Sequence, residues 1–355
     1  MPVDSRDSDK VIVRLYAGLG NNVLQIIAGY ALSLRLSKLH NCEYRCQVIL
    51  PDEADESSSF SPHEVLGGHL RRDDHYTQNH RDHNLPSPFD LKEVFPMIEW
   101  ISFENTAPPN QANQNDNLSG LIEYFSSIYF SSERYLNLCR EEKHCIQHDK
   151  TVGKFLNNYF VRTPYPFYQE YWYPEVKNLH RLFTPTESIM NYIRSEYNVD
   201  IKENLIGIHV RNDQRVADIH ESDKVSIQWY VDSLKKIVKC GEKAKVVIVS
   251  NTVANNQKSF DIGRKLKNEV ARYSSDIEII ESNQEPYYID FFLLAMCSYL
   301  IISSSTFGFS AGITSQNTKK IYLPNVFSDR HFLNYKLPDF CRFIPDQTDI
   351  LTPEV

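Results

Sequence analysis

The sequence predicts an α/β protein of two doubly wound, Rossmann-like domains, and three observations carry that expectation. Short apolar runs alternate with apolar stretches of helical period through much of the 355 residues, the pattern of parallel sheets covered on both faces. A Gly-x-Gly turn, Gly18 and Gly20, joins the first such run to the first such helix. The alternation then restarts behind a helix with its own start signals, near residue 180.

Taken in order, Val11 to Tyr16 reads as a strand, Asn21 to Leu39 as a helix and Cys46 to Leu50 as a second strand. From 51 to 119 the pattern decays into Asp/Glu/Ser clusters, a His-rich patch and the polar tract NTAPPNQANQNDN, a polar insertion of surface loops around a few short elements. Aromatic segments resume at Leu121–Tyr135 and Phe155–Tyr173. In FTPTESIMNYI, Thr184 reads as a helix N-cap, Pro185 as its first-turn residue and Glu187 as the far side of a capping box. Strands follow at Leu205–Val210, Val246–Ser250, Ile277–Ile280, Tyr299–Ile302 and Lys320–Leu323, with helices at Ser226–Val238, Ala254–Tyr273 and Tyr288–Met296. The expected organisation is a disordered tail over 1–10, an N-terminal domain over 11–180 and a C-terminal domain over 181–355. Two such domains would face each other across a cleft between the carboxyl ends of their strands, where open α/β sheets bind ligands.

Composition narrows the function classes. Hydrophobic residues make up 41% and charged residues 24%, ordinary for a globular protein. A net charge of −8 argues against general nucleic-acid binding, which needs a broad basic surface. There is no signal-peptide core in MPVDSRDSDK and no run of about eighteen apolar residues for a membrane span, so a cytoplasmic setting is expected, or a Golgi lumen if an anchor has been removed. The seven cysteines lack zinc-finger spacing and read as free thiols. His69, His75, His80 and His83 are interleaved with Arg and Asp without a helical metal-binding face, and read as a solvated loop. No metal site is expected, and Asp7-Ser8-Asp9 in the tail is a poor one.

Three loops carry the chemistry. In the first, Gly18 and Gly20 permit close backbone approach and Asn21 and Asn22 stand at the mouth of the helix, while Val23 occupies the place of a dinucleotide fingerprint's third glycine. In the second, LIGIHVRNDQRV, a strand delivers His209 and Arg211 on one face at its carboxyl end, with Asn212 and Asp213 in the following loop. An arginine there sets a permanently charged fork against a diphosphate; His209 alone also reads as a core imidazole satisfied by a carbonyl. In the third, a helix with Asp290 in its first turn leads through a strand to Ser303, Ser304, Ser305, Thr306 and Phe307. Those hydroxyls and free N–H groups suit phosphate, ribose or a base edge, although one of them can be an ordinary N-cap. Together the loops describe a diphosphate nucleotide.

The same residues resemble a known family. AGLGNNVLQIIAGYALS is similar to the G-G-L-G-N-Q-x-F-Q-x-A-x-G-x-A-L opening of the α-1,2-fucosyltransferases of glycosyltransferase family 11, and IGIHVRND to their H-x-R-R-x-D segment, shared more loosely with α-1,6- and protein O-fucosyltransferases. ISSSTFGFSAGI resembles S-x-S-T-F-S-W-W-x-A, YYIDFFLLAMC resembles D-x-x-x-M-x-x-C, and FYQEYWYPEVKNLHRLF resembles G-Y-F-Q-S-x-x-Y-F, all in family order. Asn212 departs from the second arginine of the motif, Asn22 from its glutamine, and Gly308 and Phe309 stand where two aromatics, or a Ser and a Trp, are common.

The resemblance implies a GT-B-like fold, GDP-fucose as donor, a glycan or other oligosaccharide as acceptor, and inverting transfer, most simply to an α-1,2 linkage, with no cofactor or metal. It implies Arg211 on the β-phosphate with His209 beside it, Ser304, Ser305, Thr306 and Phe307 against the nucleotide, and Asp290 at guanine. Gly18, Gly20, Asn21 and Asn22 would form a phosphate- and fucose-side turn in an acceptor-side N-terminal domain, the donor being held mainly by the C-terminal one. Asp213 and Glu170 are candidate bases by position. Another linkage or GDP-sugar, and a GDP-sugar-binding protein without turnover, remain open alternatives.

Overall fold

The computed structural model describes residues 9–14, 19–49, 91–101, 158–161, 177–200, 204–210, 225–239, 241–250, 257–282, 287–303, 305–324 and 341–343. The chain divides into two units. The first comprises Met1–Gln78 and Pro96–Leu182, the second Asn79–Phe95 and Phe183–Val355.

In the first unit, β1 (Asp9–Arg14) leads to α1 (Leu19–His40), β2 (Tyr44–Ile49), the two-residue β3 (Trp100–Ile101) and β4 (Asn158–Val161). The sheet order is β3-β2-β1-β4 and every pairing is parallel. Val11 and Val13 stand opposite Cys46 and Val48, all buried. The helix covering them is apolar on nearly every side, with Val23, Leu24, Ile26, Ile27, Ala28, Ala31, Leu32 and Leu36 at most 2% exposed. Such a helix belongs in a core rather than on a surface. It ends where Asn41 takes the left-handed conformation, at φ 51°, and the Cys42 N–H returns to the Ser37 carbonyl, an asparagine stop signal.

β1 starts two residues before the expected strand, so Asp9 and Lys10 of the expected 1–10 tail belong to the sheet, paired with Tyr44 and Arg45. α1 likewise starts two residues early, which moves Gly20, Asn21 and Asn22 from the mouth of the helix into its first turn.

The second unit contains α2 (Leu91–Val94), α3 (Glu187–Tyr197), β5 (Leu205–Val210), α4 (Ile227–Lys235), β6 (Ala244–Ser250), α5 (Gln257–Tyr273), β7 (Ile277–Glu281), α6 (Tyr287–Ala295), β8 (Tyr299–Ile302), α7 (Thr306–Thr314), β9 (Lys320–Leu323) and β10 (Cys341–Phe343). Its sheet runs β10-β9-β8-β5-β6-β7, again all parallel. Successive strands β5, β6 and β7 are laid down in one direction, then β8, β9 and β10 in the other. That is the dinucleotide-fold order, with its switch point between β5 and β8. All six residues of β5 are buried, as a central strand covered on both faces requires. One face packs Ile206, Ile208 and Val210 with Trp229, Leu234, Leu266 and Val270 from α4 and α5. On the other, Gly207 and His209 lie against α6, β8 and α7.

Leu91–Phe95, expected within the N-terminal insertion, belongs to the second unit. The Phe95 ring lies 5.8 Å from Phe183, 6.4 Å from Phe291 and 5.7 Å from Phe292. The cap of α3 is Thr186, not Thr184, and its hydroxyl accepts from the Ile189 N–H. Two cap-competent threonines flank Pro185, and starting at Glu187 buries Ile189, Met190, Ile193 and Tyr197 together. α4 begins as expected behind Ser226 but stops at Lys235, where the Ile237 and Val238 N–H groups both turn back to the Leu234 carbonyl.

Candidate functional site

The switch point of the second sheet is assembled from the ends of β5 and β8 and the start of α7. His209, the penultimate residue of β5, is 5% exposed and pairs across the ladder with Ile302 of β8. The next residue, Ser303, donates its N–H to the His209 carbonyl at 3.0 Å, and its own carbonyl accepts the Ser305 N–H at 2.7 Å. Ser305 then caps α7, its hydroxyl accepting from the Phe307 N–H at 3.3 Å. Of the hydroxyls that the sequence offered for a ligand, Ser305 is therefore engaged as the cap. Ser303 is 2% exposed, with its N–H and its carbonyl both engaged in these backbone bonds. Thr306 is half-buried in the first turn of α7.

Phe307, half-buried, lays its ring 5.3 Å from the imidazole of His209 at 36°, and 5.8 Å from Phe291 of α6, edge to face. α7 approaches this closely because residue 308 is glycine. A Cβ there would sit 2.9 Å from Ile302 Cγ2, 3.0 Å from His209 Nδ1 and 3.2 Å from His209 Cβ. Asp290, in the first turn of α6 beside Phe291, accepts a hydrogen bond from the hydroxyl of Ser282, the residue that ends the β7 edge. Its carboxylate is thereby tied to the carboxyl end of the sheet.

In the first unit, Gly20, Asn21 and Asn22 form the first turn of α1, following the strand that lies between β2 and β4. That is the corresponding switch point. Asn22 is 1% exposed, and the Asn21 Oδ1 is buried with no hydrogen-bond partner among the described residues. N–H groups at the start of a helix have no intrahelical acceptor, and in α1 those of Leu19, Gly20 and Asn21 stand there.

Thus the structure brings together His209, Ser305, Thr306 and Phe307 in the second unit, while Asp290 is tied to Ser282 beyond the edge strand β7. It places Gly20, Asn21 and Asn22 at the equivalent edge of the first. Arg211, Asp213, Ser304, Gly18 and Glu170 lie outside the described residues. Gly308 was read only as a departure from the family motif, and the packing that requires a glycine there leaves no signal in the sequence. Among the described residues no cluster of three His, Cys, Asp or Glu could hold a metal ion, and no helix is long and apolar enough to cross a membrane. Cys42, Cys46 and Cys297 are free thiols; Cys139, Cys145 and Cys240 lie outside the described residues.

Fold and site together define an α/β protein whose second sheet has the strand order and helix N-terminus of a nucleotide-binding unit. The profile of Glycosyl transferase family 11 matches residues 115–341, well over half of the chain. The chain belongs to that family, and it is a glycosyltransferase by that membership. The alpha-1,2-colitosyltransferase of Escherichia coli is 20% identical over 343 residues, covering 91% of this chain and 94% of that protein. Among solved structures, the fucosyltransferase NodZ from Bradyrhizobium is similar at 13% identity, with a TM-score of 0.42 over 89% of this chain and 94% of that one. POFUT1, solved in complex with GDP-fucose, is similar at 9% identity, with a TM-score of 0.46 over 90% and 99%.

Proposed function

We propose that the protein is an inverting fucosyltransferase that moves L-fucose from GDP-fucose to a hydroxyl of a glycan acceptor, forming an α-1,2 linkage without a metal ion. The observation that carries the reading is the meeting of His209 with the capped N-terminus of α7 at a sheet switch point, in a chain of family 11. Inverting transfer needs the acceptor oxygen in line behind the anomeric carbon and stabilisation of the charge that develops on the departing GDP. N–H groups at the start of α7 and the hydroxyl of Thr306 are donors suited to that charge, and Arg211, two residues beyond His209, supplies the permanent cation. The hydrophobic wall formed by Phe307 and Phe291 lowers the local dielectric and strengthens both. Asp290 reads the base. Gly18, Gly20, Asn21 and Asn22 take the sugar–diphosphate end. Asp213 or Glu170 accepts the proton of the acceptor hydroxyl.

One relative favours a second reading. The Escherichia coli protein is a colitosyltransferase, so the same site with a colitosyl donor is the alternative. Incubation with labelled GDP-fucose or GDP-colitose and an array of glycans, followed by linkage analysis of the product, separates the two. GDP binding with neither transfer nor hydrolysis would instead indicate a binding protein. Arg211→Ala is expected to slow transfer by at least about a hundredfold, since one such donor contributes about 2–4 kcal/mol in comparable sites. Near-normal rates in that variant would remove Arg211 from the mechanism.

A further inference from the structure

We infer that Ser282 is a positioning residue for recognition of the donor's base, acting through the carboxylate of Asp290. The inference rests on the proposed function, in which Asp290 reads the base, and it concerns a residue to which none of the sequence motifs pointed.

The Ser282 hydroxyl donates to Asp290 Oδ1, and both ends of that bond are fixed. Ser282 directly follows β7, and its N–H donates to the Ile248 carbonyl of β6 at 3.1 Å. The residue before it, Glu281, is paired through its carboxylate with Lys267 of α5 at 2.5 Å. Asp290 is seated between Ile289 and Phe291, both 0% exposed, so the core residues of α6 hold its first turn against rotation. The bond spans eight positions of the chain and joins the end of the sheet to the start of the next helix.

A hydroxyl on a carboxylate beside a strand end is often only a staple between two elements. Place and chemistry assign this one more. Open parallel sheets bind ligands at the carboxyl ends of their strands, and both partners stand at that edge. β7 is two strands from β5, so at about 4.8 Å per strand their ends lie roughly 10 Å apart. That is the reach of a nucleotide from its phosphates, at His209 and the start of α7, to the edge of its base. Guanine presents an N1–H and a 2-amino group side by side, two donors that match the two oxygens of an ionised carboxylate. The torsion that orients a carboxylate is broad and roughly two-fold, so an unanchored one meets such an edge only part of the time. The hydroxyl on Oδ1 sets that torsion, and it favours the ionised form. A carboxylate has about four lone-pair sites, more than one anchor uses.

Calorimetric binding of GDP and of inosine diphosphate to the full-length protein tests this, because inosine lacks the 2-amino group. Ser282→Ala is expected to weaken GDP binding about tenfold and inosine diphosphate binding about threefold, which lowers the preference for GDP. Ser282→Thr keeps the hydroxyl and should keep the preference, whereas Asp290→Asn should lose it. With GDP-fucose, Ser282→Ala should raise donor KM about tenfold and leave kcat within about twofold, since the base lies away from the bond that breaks. An unchanged GDP preference in folded Ser282→Ala, or equal weakening of both nucleotides, would overturn the inference, as would the same loss of preference in Ser282→Thr. If urea denaturation shows that Ser282→Ala does not fold, Ser282→Val against the shape-matched Ser282→Thr carries the test by the same criterion. Asp290→Asn separates this inference from the reading it rests on. If that variant keeps the wild-type preference, the base is not read at Asp290 and both fall; if it loses the preference while Ser282→Ala keeps it, only the inference falls. If the protein transfers nothing from GDP-fucose, the proposed function fails and the binding measurements alone decide the role of Ser282.

Discussion

Gly308→Ala tests whether the close approach of α7 to β5 serves catalysis or only packing. The added Cβ would lie 2.9 Å from Ile302 Cγ2 and 3.0 Å from His209 Nδ1, about half an ångström inside comfortable contact. Neither neighbour yields easily. Ile302 is β-branched and stiff at χ1, and the imidazole has the Phe307 ring 5.3 Å away. The helix must lift or the imidazole must turn. Overpacking of this kind costs about 1–3 kcal/mol, offset by about 1 kcal/mol because alanine is the better helix former. The net loss of stability is thus roughly 0–2 kcal/mol, small enough to leave a folded enzyme. A displacement of this size at His209 is expected to lower kcat about tenfold.

Gly312→Ala is the matched control. Its Cβ would meet Ile321 Cδ1 at 2.5 Å and Leu300 Cδ1 at 2.8 Å, so it crowds the same helix against apolar side-chain ends away from the imidazole. It should lower the urea midpoint by a similar amount and leave the kcat of the folded enzyme near that of wild type. Transfer rates from GDP-fucose, measured beside urea denaturation, distinguish the two variants. If Gly308→Ala keeps its kcat, or Gly312→Ala loses as much, the reasoning that links the glycine to His209 is wrong.

Phe95→Ala should destabilise the protein by about 3–5 kcal/mol, because a ring only 1% exposed leaves three aromatic neighbours facing a void; a loss below about 1 kcal/mol in urea denaturation would contradict that packing. Alkylation of the native protein at pH 8 with mass mapping should mark the exposed Cys42 and spare Cys46 and Cys297, whose thiols are pushed up by burial. The same two groups make stability fall at alkaline pH. Their ordinary value is 9.0, so above it the unfolded chain loses protons that the native state keeps, and their contribution, intact below pH 9.0, is lost as pH rises through it. Denaturation midpoints that stay flat from pH 8 to 10.5 would refute this. Transfer should survive a chelator; activity abolished by EDTA and restored by manganese would refute the metal-free mechanism.

The parts of the fold that sequence made legible are those with an unambiguous burial pattern. Leu205–Val210 is an apolar run interrupted only by Gly207 and His209, and it is the central strand with the bounds expected of it. Strands β8 and β9 match in the same way. β3, β4 and β10 were not foreseen, because edge strands of two to four residues carry no period that sets them apart from loop. Thr184 and Thr186 offered the same cap chemistry two residues apart, and only the burial of the helix's apolar stripe decides between them. At the site, the hydroxyl-rich stretch after β8 was visible, but its division of labour was not. Whether a serine caps a helix, supports a turn or meets a ligand depends on the backbone it meets, and for Ser303 that is the carbonyl of His209, far earlier in the chain.

The turn AGLGNN takes a different meaning from its position in α1. The third glycine of a dinucleotide fingerprint lets the helix pack close to its strand, and its place here is filled by Val23, which is fully buried. The close approach has not been lost. It occurs further along the same helix at Gly29, where a Cβ would fall 2.1 Å from Val13 Cγ2 and 3.2 Å from Cys46 Sγ, so that glycine is required by the packing of α1 on β1 and β2. With the helix seated there, its first turn is relieved of that constraint and can carry side chains. Asn21 and Asn22 add amide groups there that a glycine-rich turn would lack. The second sheet reaches the same end differently, by placing its glycine at Gly308 on the helix after β8 and its polar side chain, His209, on the strand. Both sheets thus share one strand order about their first strand, and each seats a helix closely on its sheet with a glycine.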